Sequence, residues 1–261
     1  MFRYTFKNSP YLMLGLALIS IPAAQAGVVY STGFETSDGY TTGPISGQNG
    51  WQVFNSPLAQ VENTFADGGS QALWINGNSN SDQNGAYHVD APTEPIIELS
   101  ADLYIASGIE NEWQFSATGP GLSGYIGGIN LIPTNPVGGL TDNIQIESGS
   151  LGTVGTFNLN TWNLVDFVFD MDTQTYSFSL NGTLIASGLA FCGSNSGCTG
   201  APVASYADSF FDVFGSTNST DEGYMDNFSL TQSTGAAPEP GTLLLMGAGL
   251  ALVAGRKFAR K

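Results

Sequence analysis

The sequence predicts an all-β fold, a single antiparallel two-sheet sandwich with a targeting segment at each end. Three observations lead there. Apolar residues of the body recur at every second position, as in Tyr176-Ser177-Phe178-Ser179-Leu180, which fits a half-buried strand and not a helix. Turn-forming groups punctuate the runs: Asp67-Gly68-Gly69, Asn76-Gly77, Asn84-Gly85 and Asn181-Gly182. No stretch between residues 27 and 235 shows a helical period.

Taken in order, the chain opens with Arg3 and Lys7, an apolar run from Tyr11 to Ile21, and Ala24-Gln25-Ala26. A positive start, a short apolar core and a small-x-small site make residues 1–26 a secretory signal peptide, cut before Gly27. Strands are expected over 28–34, 51–54, 58–63, 71–75, 85–89, 96–105, 111–117, 124–130, 143–148, 153–157, 162–170, 174–180, 183–187, 207–214 and 223–231. Residues 119–123, 133–142 and 188–203 read as loops. The sandwich domain spans 27–231, and Gln-Ser-Thr-Gly-Ala-Ala over 232–237 reads as a linker. There is no internal repeat and no second domain.

The last segment, 238–261, has three parts: Pro238-Glu239-Pro240, an uncharged apolar helix over 241–255, and a basic end over 256–261 with Arg256, Lys257, Arg260 and Lys261. Fifteen apolar residues rise about 22 Å as a helix, against a hydrocarbon core of about 30 Å. The basic residues act as a membrane stop on the cytoplasmic side. The three parts in this order resemble a PEP-CTERM sorting signal. That resemblance implies recognition by an exosortase-type membrane protease, passage through the inner membrane, and delivery to the cell surface or extracellular matrix of a Gram-negative bacterium.

All six basic residues lie in the two end segments, and of the 22 acidic residues only Glu239 lies beyond position 237. The body therefore carries 21 carboxylates, no Lys or Arg, and one histidine, His88. Nucleic acid is excluded as a partner, because phosphate binding needs cations. Only His88 can pair a carboxylate in a salt bridge. Any other buried carboxylate must be protonated, held by neutral donors, or bound to a metal ion.

Trp162 to Asp170, followed by Tyr176 to Gly182, is similar to the paired strands of laminin-G/concanavalin-like jelly rolls. Gly33-Phe34-Glu35 and Tyr224-Met225-Asp226-Asn227-Phe228 resemble their first and last strands. The resemblance implies a jelly-roll sandwich whose first and last strands lie side by side and share a Ca²⁺ ion, with Glu35, Asp38, Asp226 and Asn227 as its ligands. It also implies a sugar-binding face. Trp51 and Trp162 read as core. Trp113, between Glu112 and Gln114, is the expected exposed stacking residue, and Tyr87 and Tyr125 are further candidates.

No enzyme signature stands out. The glycosidase spacing Glu-x-Asp-x-x-Glu is absent, and Glu110-Asn111-Glu112 reads as an exposed turn. His88 has no nucleophile motif around it, and zinc needs more His or Cys than the chain has. Cys192 and Cys198, exported to an oxidising compartment, should form a disulfide around a five-residue loop. The resulting expectation is an exported, non-catalytic carbohydrate-binding-like module associated with exopolysaccharide. The alternatives are a structural surface protein without a ligand and a glycan-degrading enzyme.

Overall fold

Alternation fixes which way each strand faces. Over Asn163–Asp170, Val165, Phe167 and Phe169 are buried, while Leu164, Asp166 and Val168 face outward. The same rule sends Trp113, Phe115 and Ala117 inward from Glu112–Gly119. The computed structural model describes residues 26–54, 58–77, 83–106, 111–133, 144–147, 153–192, 203–214 and 221–234. The signal peptide, apart from Ala26, and the whole sorting tail with Pro238, Glu239, Pro240, Arg256, Lys257, Arg260 and Lys261 lie outside the described residues. So do Cys198 and Glu110.

Sixteen strands are described. They are β1 (Gly27–Thr32), β2 (Gly43–Pro44), β3 (Trp51–Phe54), β4 (Ala59–Glu62), β5 (Ala72–Asn76), β6 (Gln83–Val89), β7 (Ile96–Ile105) and β8 (Glu112–Gly119). There follow β9 (Ser123–Pro133), β10 (Ile144–Glu147), β11 (Thr153–Phe157), β12 (Asn163–Asp170), β13 (Thr175–Leu180), β14 (Thr183–Ala190), β15 (Asp208–Phe214) and β16 (Glu222–Ser233). Nine form one sheet in the order β14-β13-β12-β7-β16-β5-β4-β2, with β1 added along β16. Seven form the other, β11-β10-β9-β8-β15-β6-β3. Contacts such as Phe115 of β8 on Phe167 of β12, with centroids 5.7 Å apart, bind the two sheets into one core. Residues 26–235 form a compact unit containing all of these strands.

The Asn181-Gly182 turn has both residues at positive φ, 51° and 74°, as a type I′ hairpin requires. Three expectations need correction. Asn84-Gly85 is not a turn: both residues lie inside β6, where Asn84 is buried. Residues 188–190 continue β14 instead of opening a loop. The linker starts later than 232, because Gln232 and Ser233 still pair with Ile97 and Ile96, and the Gln232 side chain accepts from the N–H groups of Thr93 and Glu94. Cys192 is buried and disulfide-bonded.

β16 organises the larger sheet. One of its edges runs along β7. The other is shared, because β5 pairs with Glu222–Met225 and β1 pairs with Phe228–Gln232. The first and last strands therefore do lie side by side. Between the two partners a bulge interrupts β16, with Asn227 at φ 49°. The bulge leaves a notch in the sheet edge at Asp226-Asn227.

Candidate functional site

A row of aromatic side chains crosses the outer face of the nine-stranded sheet. Tyr224 of β16 stands opposite Trp74 of β5 on one side and Tyr104 of β7 on the other. Directly paired residues share a face. Trp162, just before β12, continues the row, its ring 5.6 Å from that of Tyr104. Trp74 to Trp162 is three strand spacings, about 14 Å. Phe65, from the β4–β5 loop, stacks on Trp162 at 5.4 Å and 12° and meets Tyr104 edge-on at 4.6 Å. All five rings are part-exposed, Phe65 the most at 36%.

An oxygen-rich corner adjoins the row at the β16 notch. One step along the strands, Asp226 stands opposite Asp102. The Asp226 carboxylate accepts from the N–H groups of Asp67 (3.0 Å), Gly68 (3.1 Å) and Asn227 (2.7 Å). Glu35 accepts from Ser70 N (2.6 Å), Gln71 N (2.9 Å) and Ser70 Oγ (2.8 Å). Asp38 accepts from Gly33 N at 3.1 Å. The Asn227 amide donates to Asp102 at 2.9 Å and reaches Asp67 at 3.5 Å. With no cation nearby, burial pushes Asp226 up to about 6, and burial followed by the Asp102 carboxyl raises Asp67. Glu35 is held low by the Ser70 N–H and other loop donors.

The expected metal ligands Glu35, Asp38, Asp226 and Asn227 thus do come together, joined by Asp67 and Asp102. Their oxygens are turned to loop N–H groups. Among the described residues, no group of three or more His, Cys, Asp or Glu side chains is arranged to hold a metal ion.

The expected sugar-binding aromatics do not form one surface. Trp113 is fully buried and packs on Phe211, a correction with a simple cause. Polar neighbours on both sides of a strand residue face outward, so the residue between them faces the core. Tyr87 and Tyr125 lie on the outer face of the seven-stranded sheet. The Tyr87 hydroxyl donates to Gln52 at 2.5 Å, and the Tyr125 hydroxyl bonds Ser116 (2.7 Å) and Gln114 (3.2 Å). Trp162 is the reverse correction: it was expected in the core and stands on the surface. It shares the parity of Leu164, Asp166 and Val168, which all face out. Parity also marks Tyr104 and Tyr224 as outward. Phe65, Asp67 and Asp102 had no signal strong enough to single them out.

His88 meets a carboxylate, as charge arithmetic allowed, with Nδ1 2.7 Å from Asp90 Oδ1. Asp90 in turn accepts from Ser209 at 2.9 Å. The Asn49 carbonyl, 3.0 Å from Nε2, can only accept, so that nitrogen carries a proton. Serine here meets the aspartate and not the histidine, which is not the geometry of a nucleophilic triad. The network is a buried structural tie, with His88 stacked on Tyr30 at 3.8 Å.

Residues 236–261 match the PEP-CTERM protein-sorting motif. None of the curated proteins matches the chain. Among solved structures, the body is similar to a sialidase at 14% identity and a TM-score of 0.56, over 79% of this chain and 19% of that one. The chain thus spans about a fifth of the sialidase. It is also similar to β-agarase A from Zobellia galactanivorans at 9% identity and a TM-score of 0.53, over 82% of this chain and 94% of that one. At such identities the likeness concerns the fold alone. The body is an all-β sandwich of the jelly-roll kind, and the chain carries a PEP-CTERM sorting tail, the mark of an exported protein processed by an exosortase.

Proposed function

We propose that this protein is a non-catalytic, carbohydrate-binding-like module that acts at the cell surface or in the extracellular matrix of a Gram-negative bacterium, in association with exopolysaccharide. The observation that carries this reading is the row Trp74–Tyr224–Tyr104–Trp162 with Phe65 over it. Part-exposed rings offer flat faces to the C–H side of a sugar, and the neighbouring Asp102 offers acceptors to its hydroxyls. The row spans about three strand spacings, which suits several linked sugars better than one. The test is retention of residues 27–235 in gels containing the host's own exopolysaccharide. Retention that is lost in Trp162→Ala and Tyr104→Ala is the expected result. Retention unchanged in both variants places the ligand elsewhere.

One observation favours a structural protein without a ligand. Phe65 packs on three of the rings, so the cluster also pins the loop that donates to Glu35 and Asp226. Absence of retention by any polysaccharide would leave this second reading in place. The non-catalytic part has its own measurement. Release of reducing sugar that a single Asp or Glu substitution abolishes would turn the module into an enzyme.

Calcium at Glu35, Asp38, Asp226 and Asn227 remains a separate proposal, supported by the carboxylate excess and by Asp67 and Asp102 nearby. As arranged, these residues fit loop N–H donors and not an ion, and no part of the binding reading runs through calcium. Thermal unfolding in Ca²⁺ and in EDTA decides it. A rise in Tm with Ca²⁺ that vanishes in Asp226→Ala supports a site, and identical curves refute it.

A further inference from the structure

We infer that the polysaccharide taken by the aromatic row is uncharged, an inference that rests on the glycan-binding reading above. Carboxylates flank the row in both directions along the strands. Glu62 and Glu222 both act on the Tyr224 phenol, whose proton burial and these two neighbours hold up to about 12. One step along the strands come Asp226 and Asp102. Asp166 follows on β12, opposite Ser100, and it feels Glu98 and Asp102 in its turn. Asp67 overlooks the same corner from the Phe65 loop.

Nothing offsets this charge. No Lys or Arg occurs anywhere from residue 27 to 255. The one histidine is buried beside Trp51 and committed to Asp90. A uronate or sulfate laid along the rings would sit within about two strand spacings of several carboxylates, roughly one Debye length at 0.1 M salt. Like charges at that range work against the wrong partner more strongly than they help the right one. A neutral sugar meets the opposite situation. Its C–H face finds aromatic rings, and its hydroxyls find ionised acceptors, which make the stronger class of hydrogen bond.

The experiment compares matched pairs of polymers, so that charge is the only variable. Residues 27–235 are run in affinity gels containing hydroxyethyl cellulose, amylose or agarose, each beside its carboxymethylated derivative, in EDTA. Salt is varied from about 0.01 to about 1 M, where the Debye length falls from about 30 to about 3 Å. The expected result is retention by a neutral polymer at all salt concentrations. Its charged derivative is expected to bind at least about tenfold more weakly at low salt and to recover as salt rises. Asp166→Asn, a half-buried and nearly isosteric change, is expected to improve binding of the charged derivative alone. Equal or tighter binding of a derivative at low salt overturns the inference. So does neutral-polymer retention that survives both Trp162→Ala and Tyr104→Ala, since the ligand then lies off this face. Retention by no polymer, charged or neutral, overturns the glycan-binding reading itself, a result distinct from the other two.

Discussion

Gly69 shows how little freedom the oxygen-rich corner has. Its φ is +65°, and a Cβ there would stand 2.2 Å from Glu35 Oε1. Gly69→Ala therefore combines a left-handed backbone with displacement of the carboxylate that accepts from Ser70 and Gln71. We expect a loss of about 1–3 kcal/mol in denaturant unfolding. Gly182→Ala is the control, with φ +74° and open space around it, and should cost about 1 kcal/mol or less. Asp212 makes a different residue-scale prediction. It is fully buried on β15, with Gln83 donating to Oδ2 and no partner at Oδ1, and burial raises its pKa far above the usual carboxylate range. A carboxyl raised in the fold contributes stability below its unfolded pKa and loses that contribution as pH climbs through the folded value. Asp212→Asn should therefore raise Tm at pH 7 and change it little at pH 4. A variant less stable at both pH values would show that the carboxyl carries bonds an amide cannot replace.

Strands explain why two tryptophans exchanged places between expectation and structure. Trp113 and Trp162 look alike as isolated residues next to polar neighbours. Read by parity, Trp113 belongs with Phe115 and Ala117, while Trp162 belongs with Leu164 and Asp166. The stability contrast follows from this. Trp113→Ala opens a cavity in the core and should cost about 3–5 kcal/mol, whereas Trp162→Ala removes a part-exposed ring and should cost under about 1.5 kcal/mol. Equal costs would contradict the assigned faces. Fifteen of the sixteen described strands have a counterpart in the sequence reading because their alternation and turns are local. The two-residue β2 had no periodicity to reveal it, and β6 starts at Gln83 instead of 85, because Asn84-Gly85, a pair that usually marks a turn, lies inside the strand. The site was less legible. Glu35, Asp38, Asp226 and Asn227 were singled out through the resemblance of the first and last strands and the residues just after them to jelly rolls. Asp67 and Asp102 join them only because the β16 bulge draws a loop and a neighbouring strand to one notch, which no local pattern encodes.

At the scale of the molecule, charge dominates. Twenty-one carboxylates with no Lys or Arg in the body repel one another, and Asp166, Asp208, Asp212 and Asp226 are all raised, chiefly by burial. Both effects act in the same direction. Stability should fall as pH rises from about 4 towards 7, and added salt should restore part of it at pH 7. Below about pH 4 the trend should reverse, because Glu35 and Asp170 are lowered in the fold and lose their contribution when protonated. Chemical denaturation across pH and salt checks the profile. The central claim is that polysaccharide lies on the outer aromatic row, and tryptophan accessibility tests it most directly. Trp51 and Trp113 are buried, whereas Trp74 and Trp162 are part-exposed. Quenching by acrylamide, a neutral probe that the acidic surface does not repel, should report the latter two. With the host's exopolysaccharide bound, that quenching should fall, and Trp162→Ala should remove much of the change. Bound polysaccharide that leaves Trp74 and Trp162 as open to acrylamide as before would contradict the account.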